Sequence, residues 1–185
     1  MVSLMSLWLP ILLSAVIVFI ASSLLHMVVR FHRADWEKLP NEDAIMDALR
    51  PVPPGDYMMP FSPGPESMKD PAFQEKVKRG PMAVLTIMRG DMKTSFRNAL
   101  ILWFVYSIVV NIFAADVAGR ALRPGTEYGE VFRFVGTTAF LAYSFALAQH
   151  SIWYGRKWST TVRSMVDGLV YGMLTAGTFG WLWPK

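Results

Sequence analysis

The chain contains no cysteine, and it contains none of the short motifs that mark common catalytic sites. The absence of cysteine excludes disulfide bonds, thiolate metal sites, iron–sulfur clusters and thiol nucleophiles. GxSxG, HExxH and phosphate-binding glycine loops are also absent, so no motif assigns a reaction. Because signatures of nucleic-acid-binding modules are missing as well, we expect no nucleic-acid partner despite the net charge of +4.

Charged residues are scarce, at 17% of the 185 residues, whereas hydrophobic residues make up 53%. These fractions are respectively lower and higher than in an average soluble protein. Most of the charges lie between positions 30 and 97, which leaves long apolar runs on both sides. The composition therefore predicts an all-α integral membrane protein with a charged, Pro-rich insertion after its first transmembrane helix.

Four apolar segments are long enough, or nearly so, to cross roughly 30 Å of hydrocarbon as helices. Residues 4–29 contain no Asp, Glu, Lys or Arg, and no basic region or cleavage site marks them as a signal peptide. The other predicted spans are 98–118, 131–153 and 165–184. The uncharged part of the last span, 168–184, has only 17 residues, so a short or re-entrant element is the alternative there.

The basic residues predict how these spans are oriented. Four spans put both termini on one side and residues 30–97 on the other, where basic side chains near the span ends are more numerous. The positive-inside rule then predicts that residues 30–97 are cytoplasmic and that both termini lie outside. On the predicted inner side, which comprises residues 30–97 and 154–164, the basic residues close to span ends are Arg30, Arg33, Arg89, Lys93, Arg97, Arg156, Lys157 and Arg163.

The segment between the first two spans is nearly neutral, and two short helices can be predicted in it. The first covers about 41–50 with Asn41 as its N-cap, and the second covers about 71–79 with Asp70 as its N-cap. Between them, PVPPGDYMMPFSPGP is too rich in proline for a helix or a central strand and is expected to run extended. MAVLTIM, residues 82–88, is compatible with a short strand or with an amphipathic piece on the membrane.

Small residues recur at helical spacing in the fourth predicted span. Every fourth residue there is small: Gly168, Gly172, Ala176 and Gly180. Helices in lipid associate mainly through close packing and polar contacts, so this stripe predicts the face along which the fourth span meets its neighbours.

A polar group is predicted toward the outer side of the second and third spans. It consists of Asn111, Asp116 and Arg133, and Asp116 can pair either with Arg133 or with Arg120. Such a pair would satisfy both charges. If the chain were a transporter or channel, Asn111 and Asp116 would be its pathway residues.

Two histidines lie near the predicted inner ends of their spans, His26 in the first and His150 in the third. Asp167, at the start of the fourth span, lies at a comparable depth, and His32 lies just outside. The two histidines could hold haem b, His26, His150 and Asp167 could bind a metal, and a His–Asp pair could serve a proton relay or a quinone. The alternative is that these groups only cap helix ends, where the helix dipole favours Asp167.

Three stretches together, LPNEDAIMDALR, PGDYMMPF and WSTTVRSMVDGLVYGMLTAGTFGWLWP, resemble an uncharacterised family of small bacterial inner-membrane proteins of about this length. The resemblance covers essentially the whole chain. It implies a bacterial inner (plasma) membrane location, and it carries over no functional residues.

We therefore expect an accessory or scaffolding subunit of a larger membrane complex, without catalysis of its own. Its expected partners are the lipid bilayer and other membrane-protein subunits or further copies of itself. The alternatives are a redox protein that binds haem, a metal or a quinone through His26 and His150, and a small oligomeric transporter or channel.

Overall fold

The computed structural model describes residues 1–88 and 90–185, apart from the side chain of Arg30. Arg89, which contributes to the predicted charge asymmetry, lies outside the described residues. The described chain forms two compact units. We call Met1–Glu37 together with Phe96–Lys185 the helical unit, and Lys38–Ser95 the inserted unit.

Most of the described residues are helical, which confirms the all-α fold class. The α-helices are α1 (Trp8–Met27), α2 (Glu42–Leu49), α3 (Pro71–Arg79), α4 (Met92–Ala121), α5 (Tyr128–Ser144), α6 (Ala148–Tyr154) and α7 (Trp158–Trp181). Short 3-10 helices cover Leu4–Leu7, Arg30–Asp35, Ser67–Lys69 and Phe145–Leu147. The strands are β1 (Gly55–Met59) and β2 (Ala83–Ile87).

Three helical segments are long and apolar enough to cross a membrane: Leu4–Met27, Met92–Ala121 and Tyr128–Tyr154. This number fits a multi-pass membrane protein. Helix α7 has 24 residues but is not among the three, since polar and charged residues occupy much of its first half. A fourth span therefore stays a prediction.

The helix ends differ from the predicted span ends in informative ways. Helix α7 begins at Trp158, seven residues before the predicted start at 165, because the polar sequence WSTTVRS is helical too. The third apolar run is not one α-helix, since a 3-10 turn at Phe145–Leu147 separates α5 from α6. Hydropathy predicts where lipid contact is possible, whereas the backbone continues its helix into polar residues wherever these are paired or solvated.

We call the half of the helical unit that holds both chain ends the terminal half. It contains the larger of the unit's two apolar clusters. We call this cluster the terminal core: Val2, Leu7, Ile11, Ala114, Ala115, Ala118, Leu122, Val131, Val135, Phe179 and Trp183. The backbone N–H of Val2 donates to the carbonyl of Gly119 at 2.7 Å. A Cβ on Gly119 would lie 2.7 Å from the Val2 carbonyl oxygen, so only glycine allows this close approach.

The small-residue stripe of α7 lies against α5. A Cβ on Gly168 would lie 2.0 Å from the Ser144 hydroxyl oxygen, and one on Gly180 would lie 2.6 Å from the Tyr128 ring. Such distances are too short for any side chain, so the two helices depend on these glycines for their close approach. The stripe thus sets the distance between α5 and α7.

Buried polar side chains join the helices of this unit. The Asn111 amide donates to the carbonyl of Ile11, and the Thr175 hydroxyl donates to the Asn111 side-chain oxygen, both at 3.3 Å. Asn111 therefore links α4 to α1 and α7. Of the two pairs that the sequence allows for Asp116, the structure contains the one with Arg120, at 2.9 Å, whereas Arg133 is exposed.

The inserted unit contains two paired strands, with α3 between them along the chain, and a second short helix, α2. Strands β1 and β2 pair antiparallel, from Gly55 opposite Ile87 to Met59 opposite Ala83. The Pro-rich stretch thus includes an edge strand between its prolines. Asp70 caps α3 as predicted, since its side chain accepts a hydrogen bond from the Ala72 N–H at 2.9 Å.

Asn41 precedes α2 as predicted, but it makes no capping hydrogen bond through its side chain. Its φ of 53° places it in the left-handed region, whereas a capping side chain normally needs an extended backbone. The prediction of Asn41 as a side-chain cap is therefore wrong.

Candidate functional site

A cavity of 540 Å³ opens among helices α1, α4, α5 and α7 of the helical unit. Its size falls within the range of small-molecule sites in proteins. Its wall is mainly apolar and aromatic, with polar groups gathered near the start of α7. The lining residues are Ser22, Ser23, His26, Met27, Phe96, Ala99, Leu100, Trp103, Tyr106, Tyr143, Leu147, Ser164, Asp167 and Tyr171.

Four aromatic rings form a continuous cluster on the cavity wall. The Trp103 ring centroid lies 5.6 Å from that of Tyr106, 5.9 Å from Tyr143 and 5.7 Å from Tyr171. The Trp103 indole N–H donates to the Ser22 hydroxyl at 2.8 Å, which fixes the ring of an α4 residue against α1. Tilted rings at these distances leave apolar faces and edges available to a flat ligand.

Two tyrosine hydroxyls on this wall have no partner. Tyr143 and Tyr171 are only 7% and 4% exposed, and their hydroxyls find no hydrogen-bond partner among the described residues. Buried hydroxyl groups are normally hydrogen-bonded, because leaving one unpaired costs about 1–3 kcal/mol. Both tyrosines line the cavity, but their hydroxyl oxygens are themselves buried, so a ligand's acceptor oxygen would reach them only after a side-chain shift.

A histidine–aspartate group lies where α1 and α7 meet, and two of its members line the cavity. Asp167 Oδ2 lies 2.8 Å from His32 Nε2 and 3.8 Å from His26 Nε2. The two imidazole rings are stacked, with centroids 4.5 Å apart and planes within 5°. The side chains of Asp167 and His32 are 6% and 14% exposed, whereas that of His26 is 52% exposed.

The 3-10 helix that follows α1 brings His32 into this group. Asp35, one turn after His32, accepts hydrogen bonds from the His32 Nδ1–H and from Arg163 of α7. Burial alone raises the pKa of Asp35, but these two hydrogen bonds outweigh it, so the pKa lies below its ordinary value. Arg163 and Asp167 are four residues apart and therefore share one face of α7.

The predicted site residues are only partly brought together. His26 and Asp167 are neighbours, as their predicted depth suggested. His150 is exposed on α6, where its ring lies 6.0 Å from that of Tyr154, and it does not line the cavity. No contact among the described residues joins His150 to His26, so the structure offers no support for a haem held between them.

Sequence reasoning placed His32 outside the site and did not single out Tyr143 or Tyr171. A usable signal for His32 was its spacing to Asp35, since a helical turn brings residues three apart together. For the two tyrosines, the signal was a polar tip within an apolar run, which needs a partner when it is buried.

No protein-family model, curated protein or solved structure matches this chain. Its function is therefore argued from the geometry of the site.

Proposed function

We propose that the chain is a four-span membrane protein that binds a quinone-class ligand, meaning a flat ring with carbonyl oxygens and an apolar tail. The observation that carries the proposal is the pair of buried, unpartnered hydroxyls of Tyr143 and Tyr171 within an aromatic cavity. Carbonyl oxygens only accept hydrogen bonds, and hydroxyl groups are the donors that they need. An apolar tail would follow the apolar part of the wall.

The aromatic cluster supports a planar headgroup in particular. The Trp103 ring centroid lies within 5.9 Å of the ring centroids of Tyr106, Tyr143 and Tyr171. Aromatic rings stabilise a stacked or edge-on ring by about 0.5–1.5 kcal/mol beyond the burial of area. The His26 and Asp167 side chains at the polar end are groups that could exchange a proton with such a headgroup.

Helix α7 is the fourth span in this proposal. It packs along α5 and α1, and its buried residues include threonines and glycines that face other helices. A helix surrounded by protein needs fewer apolar residues than one that meets lipid on all sides. We retain the predicted orientation, with both termini outside, residues 30–97 cytoplasmic, and the bacterial inner membrane as the location.

Binding of a short-chain quinone to the detergent-purified chain tests this function. We expect saturable binding, by equilibrium titration, at one quinone per chain. Tyr171→Phe should weaken it about 2- to 10-fold, because one neutral hydrogen bond contributes about 0.5–1.5 kcal/mol. Tyr154→Phe is the matched control, since this tyrosine is exposed and does not line the cavity. Equal affinities of wild type and Tyr171→Phe would reject the proposal.

The inserted unit supports a second function, that of an accessory subunit. None of its described residues is buried, and it exposes large apolar side chains, including Phe61 at 71% and Met82 at 70%. A 58-residue segment without a buried side chain gains little stability from its own packing. We propose that it docks on another subunit of a membrane complex through a surface rich in methionine, a residue that adapts well to partners.

Hydrogen exchange tests this docking. In the isolated chain, amides of Lys38–Ser95 should exchange quickly, and in native membranes they should be protected. The amides of α1 are the internal control, since a helix within the membrane should be protected in both states. Strong protection of the inserted unit in the isolated chain would argue against a docking partner.

A further inference from the structure

Three possible metal-ligating atoms converge at the polar end of the cavity. They belong to His26, His32 and Asp167, and one possible ligand atom of each lies within 4.8 Å of the other two. Metal–ligand bonds of about 2.0–2.1 Å place neighbouring ligand atoms about 2.9 Å apart in octahedral sites and about 3.3 Å apart in tetrahedral sites. The observed separations of 2.8 Å and 3.8 Å bracket these values.

In each histidine the other ring nitrogen, Nδ1, lies within hydrogen-bond distance of an oxygen atom. His26 Nδ1 lies 3.0 Å from the carbonyl oxygen of Ser22, and His32 Nδ1 lies 2.7 Å from Asp35 Oδ2. A carbonyl oxygen accepts only, so Nδ1 of His26 carries the proton. In the neutral ring Nε2 then holds a lone pair. His32 has a carboxylate beside each ring nitrogen, Asp35 at Nδ1 and Asp167 at Nε2, so metal binding at Nε2 requires the tautomer with its proton on Nδ1.

This arrangement is the one that metal-binding histidines adopt. Such a histidine usually donates its second N–H to a carboxylate or a backbone carbonyl, which fixes the tautomer and orients the ring. Here Asp35 orients His32 and is itself held by Arg163, while the Ser22 carbonyl orients His26. The two rings are stacked with nearly parallel planes, so the half-exposed His26 ring must turn before both histidines can ligate one ion.

A simple ion pair between a protonated imidazole and Asp167 explains the group less well. It requires an Nε2–H of His32 that points at the carboxylate. Nε2 of His32 is buried without a hydrogen-bond partner, although Asp167 Oδ2 is only 2.8 Å away, so the oxygen lies off the donor direction.

We propose that His26, His32 and Asp167 bind one divalent first-row transition-metal ion. Two imidazoles and one carboxylate suit Zn²⁺, Fe²⁺ or Co²⁺ better than Mg²⁺ or Ca²⁺, which prefer oxygen ligands. Three protein ligands leave coordination positions open, and His26 and Asp167 also line the cavity. The metal site rests on contacts other than the tyrosine hydroxyls and does not depend on the proposed quinone ligand.

Co²⁺ binding to the chelator-washed full-length chain, with any polyhistidine tag removed, tests this site. We expect one Co²⁺ per chain with visible d–d absorption, and loss of that absorption when Zn²⁺ displaces the ion. His26→Ala should raise the Kd more than about 100-fold, and Asp35→Asn should raise it about 10–100-fold as a positioning residue. The half-exposed His26 can be replaced with little risk to folding.

His150→Ala is the matched control and should leave the Kd unchanged, since this exposed histidine lies outside the group. Absence of stoichiometric Co²⁺ binding, as expected for an ion pair, would overturn the proposal, and so would equal losses in His26→Ala and His150→Ala. Tyr171→Phe separates the two proposals: it should keep the Co²⁺ affinity while weakening the quinone. If quinone fails to bind and Co²⁺ binds, only the proposed ligand is rejected.

Discussion

The two halves of the helical unit are built from the same four long helices, yet one is closed and the other is open. In the terminal half, alanines and Gly119 let the helices approach, and Phe179 fills the centre without any exposed surface. In the other half, Trp103, Tyr143 and Tyr171 touch one another by edges and tilted faces and leave 540 Å³ between the helices. The comparison teaches that the cavity results from the choice of side chains within one common arrangement of helices.

The two halves also differ in the hydrogen bonding of their buried polar side chains. At the middle of the bundle Asn111 is paired with Ile11 and Thr175, although the buried Ser14 hydroxyl has no partner among the described residues. In the open half, two tyrosine hydroxyls are buried without partners. Ser14 does not line the cavity, whereas both tyrosines do, so only the tyrosines combine an unpartnered hydroxyl with a place on the cavity wall.

Removing the Phe179 ring from the closed, terminal half should cause the largest loss of stability. Phe179→Ala should lower the free energy of unfolding by about 3–5 kcal/mol, because it leaves a cavity in a filled core. Unfolding in mixed micelles of a mild detergent and dodecyl sulfate measures the change. Met173→Ala on the same helix is the control, since its side chain is 46% exposed and should cost far less. Equal costs at the two positions would show that the terminal half is not tightly packed.

Adding an aromatic ring should destabilise the closed half but change the stability of the open half only slightly. Ala118→Phe, at a fully buried position of the terminal core, should destabilise by about 1–3 kcal/mol through overpacking. Ala99→Phe, on the cavity wall of the same helix, should change stability by less than about 1 kcal/mol, since the new ring has space. The same unfolding assay compares them, and Ala99→Phe should also abolish quinone binding. A large destabilisation by Ala99→Phe would mean that the cavity is not open space.

The smallest expected effect concerns the exposed pair of Glu37 and Lys157 near the open half. The hydrogen bond from Lys157 holds the pKa of Glu37 below its ordinary value. A carboxyl whose pKa is lowered by folding stabilises the fold above its unfolded pKa, and this contribution is lost as the pH falls through the folded value. Wild type should therefore lose slightly more stability than Glu37→Gln between pH 6 and pH 3. Identical losses in thermal unfolding curves would contradict the pairing.

Much of the fold was predictable because the length of an apolar run and the spacing of its small residues can be read within a single helix. The three segments able to cross a membrane, and the close approach at Gly168, follow from such local patterns. The site was less predictable, because His32 reaches Asp167 only through a turn after α1 that composition does not indicate. The predicted inward face of His150 assumes an unbroken helix, whereas a 3-10 turn precedes α6 and the side chain is exposed.

Photolabelling in membranes tests the central claim most directly, namely that the open half is a ligand site. A photoreactive short-chain quinone should label peptides that contain Ala99–Trp103 of α4 and Tyr143–Leu147 after α5, and an excess of unmodified quinone should suppress this labelling. Ala99→Phe should suppress it as well, while Ala118→Phe that still folds should not. Labelling confined to exposed positions such as Met173, or labelling that excess quinone does not reduce, would contradict the account.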